Sequence, residues 1–283
     1  MISIICVYND ELVFRNWLLK SLQNQTAEYE LVALDNSSGR FSSAAQALNY
    51  GARQTKKNSR YFMFVHQDID LMSDAWLAET EKTLDRMPRF GIAGVAGKSK
   101  NNRRCFTNII HGTSPPCCAG QPVKEFLELM TVDECLFVVP RFVFESASFD
   151  EVLCDGWHLY AVDYCLRMKT LGKGVFLLPV VVHHKSLGCT DKSYYRALGK
   201  ILCAYRTKHF KIYTTCGAWS TRVPLCAQRT CAEVMKKVRA FMRILIDRGL
   251  VPNCLRRKNR VRFWQFLKAN KNFNQTKKKR QDV

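Results

Sequence analysis

The sequence predicts an α/β fold in which a mostly parallel central sheet is flanked by helices, with accessory helices after it. The chain has 283 residues, of which 47% are hydrophobic, enough to bury one sizeable core. In the first third of the chain, short β-rich runs alternate with helical patterns, as in βαβ units. Polar loops follow three successive β-rich runs, at the place where such sheets bind ligands.

Runs rich in β-branched, aromatic and aliphatic side chains mark the strands. They cover residues 2–7, 30–34, 60–65, 92–96, 134–139 and 175–182. Apolar residues at helical spacing predict helices at 11–22, 42–53, 73–87 and 157–171, and a helix-like turn is expected at 140–146. Residues 97–123 show no period and contain a Pro-Pro pair and several Gly, which predicts a long mobile loop.

The predicted organisation begins with one α/β domain over residues 1–190. Basic accessory helices are expected at 191–271 and a disordered basic tail at 272–283. The longest apolar run, 175–182, is too short to cross a bilayer. Met1 leads straight into a strand without a secretory signal, so we expect a cytoplasmic location.

Three polar loops should meet at one edge of the sheet, because parallel strands joined by right-handed crossovers end at the same edge. The loops are Tyr8-Asn9-Asp10, Asp35-Asn36-Ser37-Ser38 and the segment from His66 to Asp70. Carboxylate and imidazole groups suit Mg²⁺ or Mn²⁺, which bridge diphosphate oxygens. The sequence therefore predicts a site for a phosphorylated ligand and a divalent cation at this edge.

Six segments, taken in order, carry a resemblance to a known family. They are SIICVYN at 3–9, LDNSS at 34–38, FVHQD at 64–68, FDE at 149–151, DYCLR at 163–167 and VHHKS at 182–186. This set resembles the family 2 glycosyltransferases, which have the GT-A fold, and the similarity spans residues 2–188. On this resemblance, about residues 1–96 are expected to form the nucleotide-sugar-binding half and about 123–190 the acceptor half. The resemblance implies metal-dependent, inverting transfer of a sugar from a nucleoside diphosphate donor, UDP-linked, to a hydroxyl of a glycan or lipid-linked acceptor.

The resemblance also implies roles for single residues. Substrate or nucleotide binding is expected of Tyr8, Asn9, Asp10, Asp35, Asn36, His66, Gln67 and Trp157, and cation binding of Asp68, Asp70, His184 and His183. Asp35 would contact the base, and Trp157 is either a core residue or a platform for the apolar face of a sugar. The register of the cation motif stays open. Either His66 replaces the leading Asp of the family's Asp-x-Asp, or Asp68-Ile69-Asp70 is the motif itself.

The base that deprotonates the acceptor hydroxyl has no direct counterpart in this sequence. The family has a Glu-Asp pair where Tyr160 and Ala161 stand here. The candidates are Asp155, Asp163 and His158. A half-buried carboxylate or an imidazole can have its pKa moved toward the working pH, and Asp155 is favoured. For Asp163 the alternative is a structural salt bridge within its helix.

Positive charge is concentrated at the carboxyl-terminal end. The net charge is +20, and residues 229–283 contain 17 Lys or Arg against three acidic residues. Cations beside aromatics at 256–264 favour peripheral binding to an anionic membrane surface, and a solvated helix face is the alternative. Nucleic acid is the least favoured partner. For the whole chain, the other functions considered are a catalytically inactive nucleotide-sugar-binding protein and a basic nucleic-acid-binding protein.

Overall fold

The described strands form one large sheet and three smaller ones. A computed structural model describes residues 1–247, except 57, 101–104, 113–116, 119, 187 and 189. The chain divides into two units, Met1–Val223 and Pro224–Val283. The strands are β1 Ile2–Tyr8, β2 Tyr29–Asp35, β3 Tyr61–His66, β4 Ile69–Asp70, β5 Phe90–Gly94, β6 Ala96–Lys98, β7 Cys105–Thr107, β8 Ile109–His111, β9 Cys117–Cys118, β10 Leu127–Glu128, β11 Thr131–Val132, β12 Leu136–Pro140, β13 Gly174–Leu177, β14 Val182–His184, β15 Lys211–Thr214 and β16 Gly217–Ser220.

The helices alternate with these strands along the chain. They are α1 Glu11–Phe14, a π-helical segment Arg15–Leu19, α2 Lys20–Leu22, α3 Ala44–Arg53, α4 Trp76–Asp85, α5 Arg141–Ser146, α6 Tyr160–Thr170, α7 Lys192–Ala204 and α8 Leu225–Asp247. The side chain of Ser43 caps α3, and Gly172 follows α6 with a left-handed φ of 66°. The helices predicted between residues 11 and 171 are present, with boundaries shifted by a few residues.

The large sheet is mostly parallel, as predicted. Its strand order is β10-β13-β5-β12-β3-β1-β2. β1 pairs in parallel with β2 and β3, and β13 pairs in parallel with β5. β12 is antiparallel to both neighbours, with Leu136 opposite Val65 near the end of β3. Because β12 runs the other way, its first residues reach the edge where β1, β2 and β3 end.

The register of the first three strands brings the predicted loops together. Tyr8 lies opposite Asp35, and Val7 lies opposite both Leu34 and His66. The loops that follow β1, β2 and β3 therefore leave one edge of the sheet side by side. This arrangement was expected for parallel strands, whose carboxyl ends form the ligand-binding edge.

The core on both sides fixes the end of β3. On one face, Phe64 lies 5.1 Å from Phe144 of α5 and 5.0 Å from Phe149, between ring centroids. On the other face, Met63 belongs to a buried cluster that includes Trp76 of α4. Since alternate residues of a strand point to opposite faces, both faces of β3 are packed and the residues that follow it are held in place.

The prediction of a long loop at residues 97–123 was wrong for the part that the structure describes. This part contains β7, β8 and β9, and β6 overlaps its start. β6 joins β7 and β11 in a three-stranded sheet, whereas β8 and β9 join β4 and β14 in a four-stranded sheet. Strands of two or three residues are too short to show an alternating pattern, so the sequence gives no signal for them.

Two predicted elements have different boundaries from those expected. The strand predicted at 175–182 is two strands, β13 and β14, because Pro179 cannot donate to a ladder hydrogen bond. β13 stays in the large sheet and β14 joins the four-stranded one. The helix predicted at 157–171 begins at Tyr160, because Leu159 has a left-handed φ of 67°.

The chain after residue 190 contains a β-hairpin as well as the expected helices. β15 and β16 pair in antiparallel fashion between α7 and α8. Thr215, at the hairpin turn, donates a hydrogen bond of 2.7 Å to Asp133 Oδ2. The predicted basic segment 256–264 and tail 272–283 lie outside the described residues. No helix in the described part of the chain is long and apolar enough to cross a membrane.

Candidate functional site

Two imidazoles and one carboxylate meet beyond the end of β3. His66 is the last residue of β3, Asp68 follows two residues later, and His184 ends β14. One ligand atom from each lies within 4.8 Å of the others. Asp68 Oδ1 is 3.2 Å from His184 Nε2, and the rings of His66 and His184 are 5.7 Å apart. We call these three residues the His-Asp-His group.

The loop after β14 holds two members of the His-Asp-His group. The backbone N–H of Ser186 donates to Asp68 Oδ2 at 3.1 Å, and the Ser186 hydroxyl lies 3.0 Å from His184 Nε2. The backbone N–H of Lys185 donates to the carbonyl oxygen of Asp68 at 3.1 Å. The carboxylate and the imidazole are therefore positioned by the fold itself, before any ligand binds.

The electrostatics of the group favour an ionised Asp68 carboxylate and a neutral His66 imidazole. Burial by itself would raise the pKa of Asp68, but the hydrogen bond and charge of His184, the charge of His66 and the bond from Ser186 lower it overall. Burial, followed by the charge of His184, lowers the pKa of His66. Both changes favour the protonation states in which these side chains bind metal ions.

The donor set fits a divalent cation such as Mn²⁺. Imidazole and carboxylate together suit first-row transition metals, and Mn²⁺ also accepts oxygen ligands. Nδ1 of His184 is buried and has no hydrogen-bond partner among the described residues. A buried nitrogen without a partner costs free energy, and coordination by a bound group is one way to recover it.

Gln67 joins the loop after β1 to the loop after β3. Its Oε1 accepts hydrogen bonds from the backbone N–H of Asn9 at 2.9 Å and of Asp10 at 3.1 Å. Its Nε2 donates to Asn9 Oδ1 at 2.9 Å. Tyr8 stacks on Phe14 with the ring centroids 4.6 Å apart. The predicted nucleotide-binding residues of these two loops thus form one connected surface beside the His-Asp-His group.

The loop after β2 presents Asp35 to solvent. The backbone N–H of Ser37 donates to Asp35 Oδ1 at 2.7 Å, and this contact lowers the pKa of the carboxyl. Asn36 accepts a hydrogen bond from the N–H of Phe41 at 2.7 Å, and Asp10 caps the first turn of α1. Asp35 therefore offers an ionised carboxylate at the edge, whereas Asn36 and Asp10 make local contacts within their own loops.

Asp70 and His183 are not members of the His-Asp-His group, although the sequence made both of them candidate ligands. They lie opposite each other on β4 and β14. Neighbouring residues of a strand point to opposite faces, so His183 faces away from His184. The ring of His183 instead lies 4.9 Å from that of Trp17. This geometry favours the register in which His66 and Asp68 form the cation motif.

The sequence did not reveal two further groups at this edge. The ring of His111, on β8, lies 5.6 Å from that of His184. Burial lowers the pKa of His66 and His111, and the negative charge of Asp133 opposes this effect at both. His111 lies in the segment predicted as a loop, and Asp133 reaches this edge only because β12 is antiparallel. The one signal in the sequence was an acidic pair directly before a buried run.

Glu134, the second member of that pair, lies against the start of α6. The backbone N–H groups of Leu159, Tyr160 and Ala161 bond to its carboxyl, but burial dominates and raises its pKa well above the ordinary value. Its Oε1 is buried without a hydrogen-bond partner in the described part of the chain. Glu134 thus connects the first residues of β12 with the loop that carries the base candidates.

The two carboxylates considered as the base have other partners. Asp163 is buried, its Oδ2 accepts from Arg167 Nε at 2.8 Å, and its Oδ1 accepts from the Tyr205 hydroxyl at 2.7 Å. Asp155 accepts from Lys200 Nζ at 2.5 Å, and this pairing lowers its pKa. Neither carboxylate contacts the His-Asp-His group within the residues described, and the contacts of Asp163 support a structural role.

His158 is the base candidate whose charge reaches the His-Asp-His group. Its positive form would lower the pKa of His66. Burial lowers the pKa of His158, and its Nε2 is 3.7 Å from Asp191 Oδ1. The preceding residue, Trp157, is 42% exposed, so it is not a core residue.

The comparisons with known proteins agree with this fold. A family model described as a glycosyltransferase-like family matches residues 3–213. A crystal structure of GalNAc-T7 with UDP, GalNAc and Mn²⁺ matches 72% of this chain, with a TM-score of 0.52 and 12% identity. The chain spans 48% of that protein's chain, and at this identity the likeness shows the GT-A fold alone. No curated protein sequence matches at a significant level.

Proposed function

The chain belongs to a glycosyltransferase-like family, and we propose that it transfers a sugar from a UDP-linked donor to a hydroxyl of a glycan or lipid-linked acceptor. The observation that carries the proposal is the His-Asp-His group, which lies beside the loops that follow β1 and β2. In a GT-A fold this edge of the sheet is where a nucleotide and its diphosphate would lie.

The donor would be bound by three loops with separate tasks. Asp35, ionised and exposed, would accept hydrogen bonds from the nucleotide base. Tyr8 and Asn9 would contact the nucleoside from the next loop, whose backbone is held by Gln67. Because this bridge fixes the two loops relative to each other, little conformational entropy would be lost when the donor binds.

His66, Asp68 and His184 would hold the divalent cation, Mn²⁺ or Mg²⁺. When bound, the cation supplies positive charge that neutralises the diphosphate and stabilises the charge on the leaving group. The contacts from the loop after β14 keep the Asp68 carboxylate and the His184 ring in place. The low pKa of Asp68 keeps its carboxylate ionised at neutral pH.

His158 is the residue that we assign as the base. In the proposed single displacement, the acceptor oxygen bonds to the anomeric carbon while the bond from that carbon to the diphosphate breaks. The configuration at the carbon is inverted, the hydroxyl proton passes to the imidazole of His158, and UDP leaves. Asp191, 3.7 Å from Nε2, would stabilise the imidazolium that forms.

The donor site can be tested by thermal unfolding with UDP and UDP-sugars, with and without Mn²⁺. A ligand at about a hundred times its Kd should raise the melting temperature of the wild type by roughly 5 °C. Asp68→Ala removes the carboxylate of the His-Asp-His group and should abolish the Mn²⁺-dependent part of this increase. Each increase is measured from the same variant without ligand, so that a change in intrinsic stability does not affect the comparison.

Asp70→Ala is the matched control for this experiment. It removes the same group two residues away, from a side chain outside the His-Asp-His group. We expect it to leave the Mn²⁺-dependent increase unchanged. If no UDP compound stabilises the wild type, the proposed function is wrong. If Asp70→Ala abolishes the increase and Asp68→Ala does not, the assignment of the cation ligands is wrong.

We also propose that the basic carboxyl-terminal part binds an anionic membrane surface. The support is the excess of Lys and Arg in residues 229–283 and the cations placed beside aromatics at 256–264. Phe241 and Val238 of α8 are exposed apolar side chains one turn apart, and Lys237 lies beside them along the helix. A membrane location would suit an enzyme whose acceptor is lipid-linked.

A further inference from the structure

A second cleft lies on the face of the four-stranded sheet that is turned away from the His-Asp-His group. Its volume is about 520 Å³. It is lined by Asn16, Trp17, Lys20, Ser21, Asn24, Asp70, Met72, Ser73, Asp74 and His183. His183 and His184 are neighbours on β14, so one strand contributes a side chain to each site. None of the roles assigned so far uses this cleft.

The backbone around this cleft is irregular at two places. Asn16 and Trp17 belong to the π-helical segment Arg15–Leu19, a rare conformation that is frequent at functional sites. Met72 has a left-handed φ of 65°, a strained conformation for a residue other than glycine. Such strain persists where the surrounding structure enforces it and is concentrated at ligand-binding sites. Both irregular segments contribute side chains to the lining of the cleft.

The lining combines an aromatic ring with amide, hydroxyl and charged hydrogen-bonding groups. Trp17 is half-buried and meets His183 edge to face, with 4.9 Å between centroids. The side chains of Asn16, Lys20 and Asn24 have no hydrogen-bond or ionic partner among the described residues and can bond to a ligand. An aromatic ring suits the apolar face of a sugar, and amides can bond to hydroxyls as both donor and acceptor.

The charges of the cleft argue against a cation or a phosphate as its ligand. Asp70 and Asp74 are offset in part by Lys20, which leaves no strong charge of either sign. Asp70 Oδ1 already accepts the backbone N–H of Met72 at 2.8 Å, and His183 Nε2 lies 2.6 Å from a backbone carbonyl oxygen. Within the described residues, the side chains placed to share a metal ion are those of the His-Asp-His group. The lining of this cleft therefore suits a neutral ligand that is rich in hydroxyl groups.

We propose that this cleft binds one sugar ring of a neutral glycan acceptor. Trp17 lies against the apolar face of the ring, and Asn16, Asn24 and Asp74 bond to its hydroxyls. The inference rests on the proposed function, because it identifies the acceptor as a glycan of several sugars. One of them occupies the cleft while another presents its hydroxyl near the His-Asp-His group. Binding at a distance from the reacting hydroxyl would select a glycan over a single sugar.

The test uses the full chain on an array of immobilised neutral oligosaccharides, without nucleotide. The wild type should bind at least one saccharide of two or more rings. Asn24→Ala and Trp17→Ala should each weaken that binding about tenfold, and Trp17→Phe should weaken it less, because it keeps an aromatic face. Asn24 is exposed, and its side chain has no hydrogen bond or ion pair with the other described residues, so Asn24→Ala separates ligand binding from folding. Phe142→Ala removes another exposed aromatic, outside the cleft, and should have no effect.

The donor experiment described above is repeated on the same variants and separates the two hypotheses. Asn24→Ala and Trp17→Ala should keep the increase in melting temperature given by UDP and Mn²⁺. If no saccharide binds the wild type, or if neither variant weakens binding, the inference is overturned while the donor site stands. If saccharide binding depends on Asn24 but no UDP compound stabilises the wild type, the cleft is supported as a sugar site and the transferase function fails.

Discussion

His158 has the properties that a general base needs in this site. Burial lowers its pKa, which keeps the imidazole neutral and able to accept a proton at pH 7. Asp191 is near enough to stabilise the protonated ring. Asp155 is instead paired with Lys200, which makes its carboxylate a weaker proton acceptor. His158 and Asp155 therefore differ as proton acceptors because of the side chains that surround them.

His158→Gln should lower kcat for sugar transfer by about 10²–10⁴-fold, because the side chain keeps its polar character but no longer accepts the proton. The Kd for UDP with Mn²⁺ should be unchanged. Both quantities can be measured by UDP release at saturating donor and by calorimetry. Asp155→Asn serves as the control. It removes only the surface ion pair with Lys200, so kcat should stay within about threefold of the wild-type value. If kcat falls greatly in Asp155→Asn and does not fall in His158→Gln, the base is Asp155 and not His158.

The sequence contained enough information to find part of the site. Asp35, His66 and Asp68 each follow or end a strand with a clear β pattern, and strand ends of parallel sheets meet at one edge. His111 and Asp133 were missed because their positions depend on which strands pair, and pairing is set by contacts between distant parts of the chain. No pattern in a single segment reports such contacts.

At the scale of elements, Glu134 links the first residues of β12 to the start of α6. Backbone N–H groups at the start of the helix bond to its carboxyl, an arrangement that satisfies donors left without partners in any helix. Leu159, whose left-handed backbone sets the beginning of α6, is one of those donors. The loop with Trp157 and His158 is therefore anchored beside the start of β12. The sequence predicted this strand but not its antiparallel direction.

Glu134→Gln should change how stability depends on pH. The folded protein raises the pKa of Glu134 well above 4.5, so it binds more protons than the unfolded chain from about pH 5 upward. The contribution of Glu134 to the free energy of unfolding should therefore fall as the pH rises through this range, whereas the lowered pKa values of His66, His111 and His158 act in the opposite direction. Glu134→Gln removes the falling contribution, so from pH 5 to pH 7 the free energy of unfolding should rise more, or fall less, in the variant than in the wild type. Urea unfolding at pH 5 and pH 7 measures both slopes, and equal slopes would contradict the prediction.

Gly97→Ala should destabilise the pairing of β6 with β11. A Cβ at this position would lie 2.6 Å from Leu129 Cδ1 and still closer to the carbonyl oxygen of Thr131, which is backbone and cannot move aside. We expect a loss of about 1–3 kcal/mol in the free energy of unfolding. A Cβ at Gly156 would meet nothing within 4 Å, so Gly156→Ala should change it by less than about 0.5 kcal/mol. Urea denaturation compares the two, and equal losses would contradict the packing argument.

The elements themselves were predicted to different extents, for physical reasons. β1 and β3 are buried and β2 is mostly half-buried, and all three have six or seven residues, long enough for composition to mark them as strands. The sequence did not predict the antiparallel direction of β12, because a strand buried on both faces has the same apolar pattern whichever way it runs. The short strands β7, β8 and β9 are held by pairing rather than by their own propensity.

At the scale of the whole molecule, charge is distributed very unevenly. The net charge is +20, and the 55 residues from 229 onward hold 17 of the 44 Lys and Arg. The catalytic residues that we propose all lie before residue 192, within the part that the family model covers. The proposed site and the basic part therefore lie in different stretches of the sequence, and the composition of the basic part supports the proposal that it binds an anionic surface.

Binding to vesicles tests this proposal with the full chain. The protein should sediment with vesicles that contain phosphatidylserine and not with neutral phosphatidylcholine vesicles. Each Lys or Arg near the surface contributes about 1 kcal/mol, so reversing Arg256, Arg257 and Arg260 to Glu should weaken binding at least a hundredfold. The control reverses Arg53, Lys82 and Arg86, which are exposed cations of the first unit, and makes the same change in net charge. Equal weakening by both sets would mean that binding follows net charge alone and would refute a membrane-binding segment.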